Sequence, residues 1–294
     1  MVLTMRITSG MLATGMLTNL HANLNKMNRF QNQIASERKI LRLSDDPIGS
    51  IKAMQIETKL VSNEQYERNI ADASAWINQT DSILMDINNV LLQAKDLATQ
   101  AATDTYSDEQ KSVIAEEIKQ LQNHFLSLAN TSFAGRYLFG GFNTTSAPFT
   151  ANGEVLSYNS ISDLKNAVQA DIDAEASQTI QYRLSDSVIF DVSTTGIEIM
   201  GSGEDNIFNY FQGLINCLNS PGSDDSATSY IAKFSSAQDR ILKVLADVGG
   251  RQIRLDLITQ RYESENLNLY ETLDKTAGID KAEVITYYEM ARTA

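Results

Sequence analysis

Between Ile51 and Ala134 the chain contains neither glycine nor proline. These two residues are the strongest helix breakers, so a stretch of this length without them is free to run as continuous helix. From Ile70 the apolar residues recur in alternating steps of three and four: Ile70, Ala73, Ile77, Leu84, Ile87, Leu91, Ala94, Ala98 and Ala101, with Thr80 the polar member of the series. That spacing is the seam of a helix lying against another helix. A helix from about 48 to 102 would measure roughly 80 Å at 1.5 Å per residue. A helix so long cannot bury its own stripe, so another segment must lie beside it.

The late part of the chain supplies a candidate. From near Ser226, the residues Ile231, Phe234, Ile241, Leu245, Val248, Leu255, Tyr262, Leu269 and Leu273 keep one heptad frame, and Gln238, Gln252, Thr259 and Asn266 fall in it too. Polar seam residues weaken a coiled coil but fix its register. Gly249-Gly250 is the weak point of this helix and reads as tolerated, with a functional kink as the alternative. The three prolines, Pro47, Pro148 and Pro221, sit at boundaries, and nine of the fifteen glycines lie between Gly135 and Gly222. The middle of the chain is therefore a different kind of structure from its ends. The fold class expected is mainly α: an elongated antiparallel helical bundle, coiled-coil-like, with a small β-rich insert. Its divisions are an N-terminal helix in a terminal region (1–46), the first part of the bundle (47–143), the insert (144–201), the second part of the bundle (202–278) and a C-terminal helix (279–294).

Local signals mark the boundaries. A first helix from about 11 to 40 carries Leu17, Leu20, Leu24, Met27 and Ile34 as an apolar stripe interrupted by Gln31, with asparagines and glutamines crowding the rest, so it needs partners to be stable. Ser44-Asp45-Asp46-Pro47 reads as a helix start, with Asp46 as N-cap and Pro47 at the first helical position. A metal reading of the two aspartates finds no partner ligands at useful spacing. Ser107 to Gln110 is a capping box that opens a helix from about 108 to 130. Phe133 to Phe142 reads as a strand or hairpin with Gly140-Gly141 suited to a turn. In the insert, Val155 and Tyr158 lie in one expected strand; Ile180, Tyr182 and Leu184, then Val188, Phe190 and Val192, and finally Ile197 and Ile199 alternate as strands do, while the alanines of Leu164 to Ala176 favour a short helix, with a strand the alternative. A short helix around 207 to 218 places Cys217 on its apolar side. Gly278 ends the last long helix, and Asp280 caps another with Glu283 at its third position. That final helix, containing Tyr287 and Tyr288, stops at Ala294 and is too short to stand alone, so it needs a partner or is cut short.

The chemistry is sparse. A net charge of −13 with no basic block argues against nucleic acid or an anionic membrane as partner. One cysteine rules out an intrachain disulfide framework and leaves the compartment open. No apolar run approaches the ~18 residues of a transmembrane helix, and Met1 to Leu20 lacks the apolar core and cleavage site of a secretory signal. His21 and His124 have no ligands at metal spacing, the aspartates at 171 and 173 lack the glycine and glutamate of a calcium loop, and Gly140-Gly141 lacks the Gly-Lys-Ser/Thr of a phosphate loop. No G-x-S-x-G nucleophile motif is present. No cofactor, metal or enzymatic activity is expected. Stripes without sites point to a structural or assembly protein.

Several local sequences carry a resemblance. Leu24-Asn25-Lys26, the run from Gln33 to Ile40 and Ser44-Asp45-Asp46-Pro47 are similar to the N-terminal signature of the bacterial flagellin family. Met5-Arg6-Ile7-Thr8 and Gly135 to Gly141 resemble more closely the branch of that family joining the flagellar hook to the filament; the filament subunit is the alternative within the family, and a coiled-coil adaptor or secreted binding protein the alternative outside it. The resemblance implies an extracellular subunit exported without a cleaved signal through the flagellar type III apparatus. It implies self-association in a ring, a hook-associated neighbour on the hook side, flagellin on the filament side and an export chaperone. The assembly interface it implies comprises Leu17, Leu20, Leu24, Met27, Ile34, Tyr287 and Tyr288. The family's C-terminal helix is usually longer, and Met5 looks like the natural start.

Overall fold

The computed structural model describes residues 9–103, 107–219 and 227–293. The expectations for Met1 to Thr8, for the turn at 104–105 and for the loop at 221–225 fall outside these residues. In chain order the elements are α1 (Ser9–Ser36), α2 (Pro47–Ala101), α3 (Asp108–Ala129), β1 (Ser132–Phe133), β2 (Arg136–Tyr137), β3 (Phe149–Asn152), β4 (Val155–Tyr158), α4 (Gln169–Ala176), β5 (Gln181–Arg183), β6 (Ile189–Asp191), α5 (Gly196–Met200), a 3₁₀ turn at Gly203–Asp205, α6 (Ile207–Asn219), α7 (Ala227–Ala277) and α8 (Lys281–Thr293). The chain divides into two compact units: unit 1 holds 1–65 and 261–294, and unit 2 holds 66–260. The long helices α2 and α7 contribute to both.

In unit 2, every member of the 70–101 seam is buried, Thr80 included; its hydroxyl donates to Trp76 O at 2.9 Å. A hydroxyl satisfied by its own helix costs little in an apolar seam. On α7, Phe234, Ile241, Val248 and Leu255 are buried at intervals of seven. The two helices run antiparallel side by side. Gln252 Nε2 donates to Asn78 Oδ1 at 2.8 Å, and Lys95 Nζ donates to Ser235 Oγ at 3.1 Å. A step of seventeen residues forward on α2 is thus matched by seventeen backward on α7. A second stripe on α2, Trp76, Ile83 and Val90, is buried as well. The single-seam reading missed it; Trp76 packs edge-on against Phe133 of β1, so α2 is covered on two flanks.

Helix α3 begins as its capping box dictates: Gln110 N–H donates to Ser107 Oγ at 3.4 Å and Ser107 N–H to Gln110 Oε1 at 3.0 Å. It packs on α6. Phe125 of α3, Phe211 of α6 and Phe234 of α7 form one aromatic cluster, with ring centroids 5.8 Å and 5.1 Å apart along it. Cys217 on α6 is half-buried.

The insert contains two antiparallel hairpins, β3–β4 and β5–β6, with α4 and α5 between and after them. One local reading is corrected and two are sharpened. The hairpin before the insert turns at Ala134-Gly135, both with positive φ, and Gly140-Gly141 opens a second turn, closed where Asn143 N–H donates to Gly140 O at 3.1 Å. Residues 197 and 199 lie in the short helix α5 and not in a strand: Gly196 sits against the Phe149 and Tyr158 rings, where any side chain would collide, and the chain turns there. The ambiguous stretch 164–176 is helical only from Gln169. Tyr158 centres the insert. Its buried hydroxyl donates to Phe139 O at 2.9 Å and accepts from Gly196 N–H at 3.2 Å, and burial raises its pKa. Asn130, which closes α3, exchanges two hydrogen bonds with the Phe149 backbone, tying the insert to that helix. The β5–β6 hairpin is strapped to both long helices. Tyr66 Oη donates to Asp186 at 2.6 Å and Asn69 Nδ2 to Arg183 O at 2.8 Å from α2, while Arg251 Nη1 donates to Ser193 O at 3.1 Å from α7.

Helix α7 passes through Gly249-Gly250 without interruption. Among the described residues no helix is long and apolar enough to cross a membrane.

Candidate assembly interface

The residues expected at an interface all lie in unit 1, which is built from α1, the 37–46 segment, the start of α2, the end of α7, and α8. Its local chemistry follows from helix ends that need partners. Helix α1 stops at Ser36, and Glu37 takes positive φ. The chain then pairs with the end of α7: Lys39 N–H donates to Ala277 O at 2.7 Å, and Arg38 bridges Gly278. Gln33, buried inside this corner, donates from Nε2 to Lys39 O at 2.9 Å. Sequence reading noticed Gln31 as the interruption of the stripe; the buried amide is the one two residues on.

The helix-start turn is arranged as its residues suggest. Asp45 Oδ2 accepts from Arg42 N–H at 3.1 Å, and Asp46 Oδ1 caps α2 by accepting from Gly49 N–H at 3.0 Å. Pro47 is the first helical residue. An open groove of about 660 Å³ lies between this turn and α1, lined by Asn25, Asn28, Arg29 and Asn32 on one side and Leu41, Arg42 and Asp45 on the other.

Helix α8 starts at a second cap. Asp280 Oδ1 accepts from the N–H groups of Ala282 and Glu283 at 2.9 and 3.2 Å. Glu283 does not close a capping box; its carboxylate accepts from Tyr287 Oη at 2.9 Å, which raises the Tyr287 pKa. Helix α8 packs on α1. Tyr287 stacks on Phe30 with centroids 5.8 Å apart, and Lys281 Nζ meets Glu37 at 2.7 Å. These two pairs make α1 and α8 antiparallel.

The expected interface residues therefore fall into two groups. Met27 and Ile34 on α1 and Tyr288 on α8 are half-buried, and the structure brings Tyr287 onto Phe30, a residue the stripe omitted. Leu17, Leu20 and Leu24 stay exposed. The end of α2 in this unit carries a buried amide: Asn63 Nδ2 donates to Asn266 Oδ1 of α7 at 2.8 Å. Asn63 lies seven residues before Ile70, at the same seam position, so the pair is a polar layer of the kind that fixes register. Arg38–Glu57 and Lys59–Glu265 ion pairs, at 2.7 and 2.6 Å, flank it. Both are largely solvated and contribute little to stability.

Paired long helices with a β-containing insert make a fold that this chain shares with solved flagellar hook-associated proteins. Residues 7–144 match the bacterial flagellin N-terminal helical region. Within that family the likeness is to hook-associated protein 3. The chain is 24% identical to the Escherichia coli flagellar hook-associated protein 3 over 90% of this chain and 86% of that one. It is 22% identical to its Salmonella typhimurium counterpart over 99% and 93%. The crystal structure of the Legionella pneumophila flagellar hook-associated protein 3 superposes with a TM-score of 0.63 at 16% identity, covering 76% of this chain and 98% of that one.

Proposed function

We infer that the chain is a structural subunit of the bacterial flagellum that joins hook to filament. The observation that carries this is likeness to hook-associated protein 3 along nearly the full length of both chains, insert included. The subunit acts through shape and contact, without catalysis. Copies associate through unit 1, where Leu17, Leu20 and Leu24 of α1 are uncovered, and head-to-tail contacts of one kind close them into a ring. The ring takes a hook-associated neighbour on one side and flagellin on the other. An export chaperone covers the apolar terminal face before secretion, and the working location is outside the cell.

Disruption of the gene tests this. The mutant should keep its hooks and release flagellin subunits into the medium, and re-expression should restore filaments. A mutant that assembles normal filaments, or lacks hooks, overturns the assignment. Immunogold on detached flagella should label the hook–filament boundary; label along the filament would make the chain a filament subunit instead.

A further inference from the structure

The β3–β4 hairpin has one edge that the chain closes and one that it leaves open. In an antiparallel pair, residues alternate between those whose N–H and C=O meet the partner strand and those whose groups point away from it. The two-residue loop Gly153-Glu154 makes Asn152–Val155 a bonded pair, so Thr150–Ser157 is bonded too, and Phe149, Ala151, Leu156 and Tyr158 turn their peptide groups outward. On the β4 side the chain's own 161–164 segment answers them. Leu164 N–H donates to Leu156 O at 2.8 Å, and Tyr158 exchanges hydrogen bonds with Ile161 at 2.9 and 2.8 Å. On the β3 side Phe149 is answered by Asn130, whose amide donates to its C=O and accepts from its N–H, the two bonds a neighbouring strand would make. Ala151, one repeat further along that edge, is half-buried, and its outward N–H and C=O meet no partner among the described residues.

This open pair faces a groove of about 850 Å³ bounded by β3, α3 and α6, a volume in the range of ligand sites. Its deepest lining residues, Ala115, Phe208 and Ile215, are apolar and buried. Gln122 and Glu154 each touch Gln212 at 3.5 and 3.4 Å, the long limit of a hydrogen bond, so a peptide group entering the groove replaces weak contacts with normal ones. The charge of the walls is lopsided. Helix α3 carries four carboxylates and two lysines, the hairpin loop adds Glu154, and α6 has no charge. Lys119 is already paired with Glu116 at 3.8 Å, whereas Glu154 meets only the amides of Gln212 and Asn216.

We propose that this edge and groove take an extended, basic peptide segment of another protein, added as a third strand beside β3. Its backbone bonds Ala151 as Asn130 bonds Phe149, an apolar side chain enters over Phe208 and Ile215, and a Lys or Arg reaches Glu154. In strand addition the main-chain bonds give affinity, while pockets for alternate side chains give selection. A glycan suits the groove less well, because Phe208, the one ring among its lining residues, is buried and offers no face for a sugar to stack on. The site lies wholly within unit 2 and is independent of the reading of unit 1 as the contact between copies.

Fluorescence anisotropy on the full chain tests this with three labelled octapeptides: alternating lysine and valine, the same with glutamate for lysine, and the lysine–valine peptide N-methylated at its four central amides. Methylation keeps charge and side chains and removes the N–H groups a strand needs. The lysine peptide should bind with a dissociation constant below about 1 mM, and the other two at least about tenfold more weakly. Ala151→Pro removes the outward N–H and spares the bonds to β4, since proline is tolerated where a strand's N–H faces out. With its melting curve unchanged, this variant should bind the lysine peptide at least about tenfold more weakly. Glu154→Gln keeps an oxygen for the two amides and should weaken the lysine peptide about threefold or more, leaving the glutamate peptide no weaker. Should Ala151→Pro not fold, the methylated peptide still decides. Equal binding of methylated and unmethylated peptides overturns strand addition, and equal binding of the glutamate peptide overturns the basic partner. No binding of the lysine peptide by about 1 mM, or binding of maltohexaose in its place, overturns both.

Discussion

Gly249 and Gly250 sit adjacent in the interior of α7, with helix continuing for many residues on both sides. Glycine there is unfavourable because the unfolded chain gains the most freedom at glycine, and alanine removes that freedom at no cost in side-chain entropy. A Cβ built at either position meets nothing within 4 Å, and neither residue has the positive φ that would strain an alanine. Each Gly→Ala change should therefore stabilise the chain by about 1 kcal/mol, and the pair by about 2 kcal/mol. For a unit near 200 residues, about 1 kcal/mol moves the midpoint by roughly 2–4 °C, so the double variant should melt some 4–8 °C higher. Circular dichroism at 222 nm gives that midpoint, and urea titration should shift its midpoint with the slope unchanged. A midpoint that stays put or falls would mean that α7 is broken at the glycines in solution. The refutation extends to function. Where the variant is more stable and cells still swim, the glycines are tolerated; where stability rises and motility is lost, the pair works by yielding.

Three further changes probe the other joints of the fold. Phe234→Ala empties the centre of the α3–α6–α7 aromatic cluster and should cost about 3–5 kcal/mol, read as a drop in the urea midpoint. Tyr158→Phe keeps the ring stack on Phe149 but removes the hydroxyl that links Phe139 O and Gly196 N–H; about 1–2 kcal/mol should be lost, with proteolysis of the insert increasing before that of the helices. Asp46→Ala removes the cap of α2 and should cost about 1 kcal/mol, while hydrogen exchange at Ile48 to Ser50 speeds up.

The helical pair was legible because a seam has one period. Ile70 to Ala101 repeats in threes and fours over many turns, and only a helix facing another helix rewards that spacing. The second buried stripe, Trp76, Ile83 and Val90, was present in the same letters, but a single-seam template assigns those positions to solvent. It becomes visible only when β1 and its neighbours are known to lie on that flank. The insert was harder because its elements are short. Five residues such as Gly196 to Met200 do not separate a period of 2 from one of 3.6, and the turn at Ala134-Gly135 uses an alanine at positive φ, which no composition rule selects. Caps were read correctly at Asp46, Ser107 and Asp280 because capping is local, and its partners lie within three residues.

The candidate interface was only half legible, for a reason that bears on how such a chain is built. An apolar stripe says that a helix needs a partner, and not which one. On α1 the same stripe changes partner along its length: Phe30 stacks on Tyr287 of α8, while Leu17 and Leu20 are exposed and face nothing among the described residues. Polar residues mark the change better than apolar ones do. Gln33 is buried because its amide closes the corner with Lys39, and Asn63 because it pairs with Asn266; both fix segments within unit 1. The asparagines at 19, 25 and 28 of α1 are exposed, and among the described residues no such pair holds the first half of the helix. A helix bound by buried amides accepts one register, whereas one presenting only leucine and methionine accepts any apolar partner of the right shape. On the proposed reading of unit 1 as the contact between copies, specificity between them then comes from the geometry of the rest of the chain.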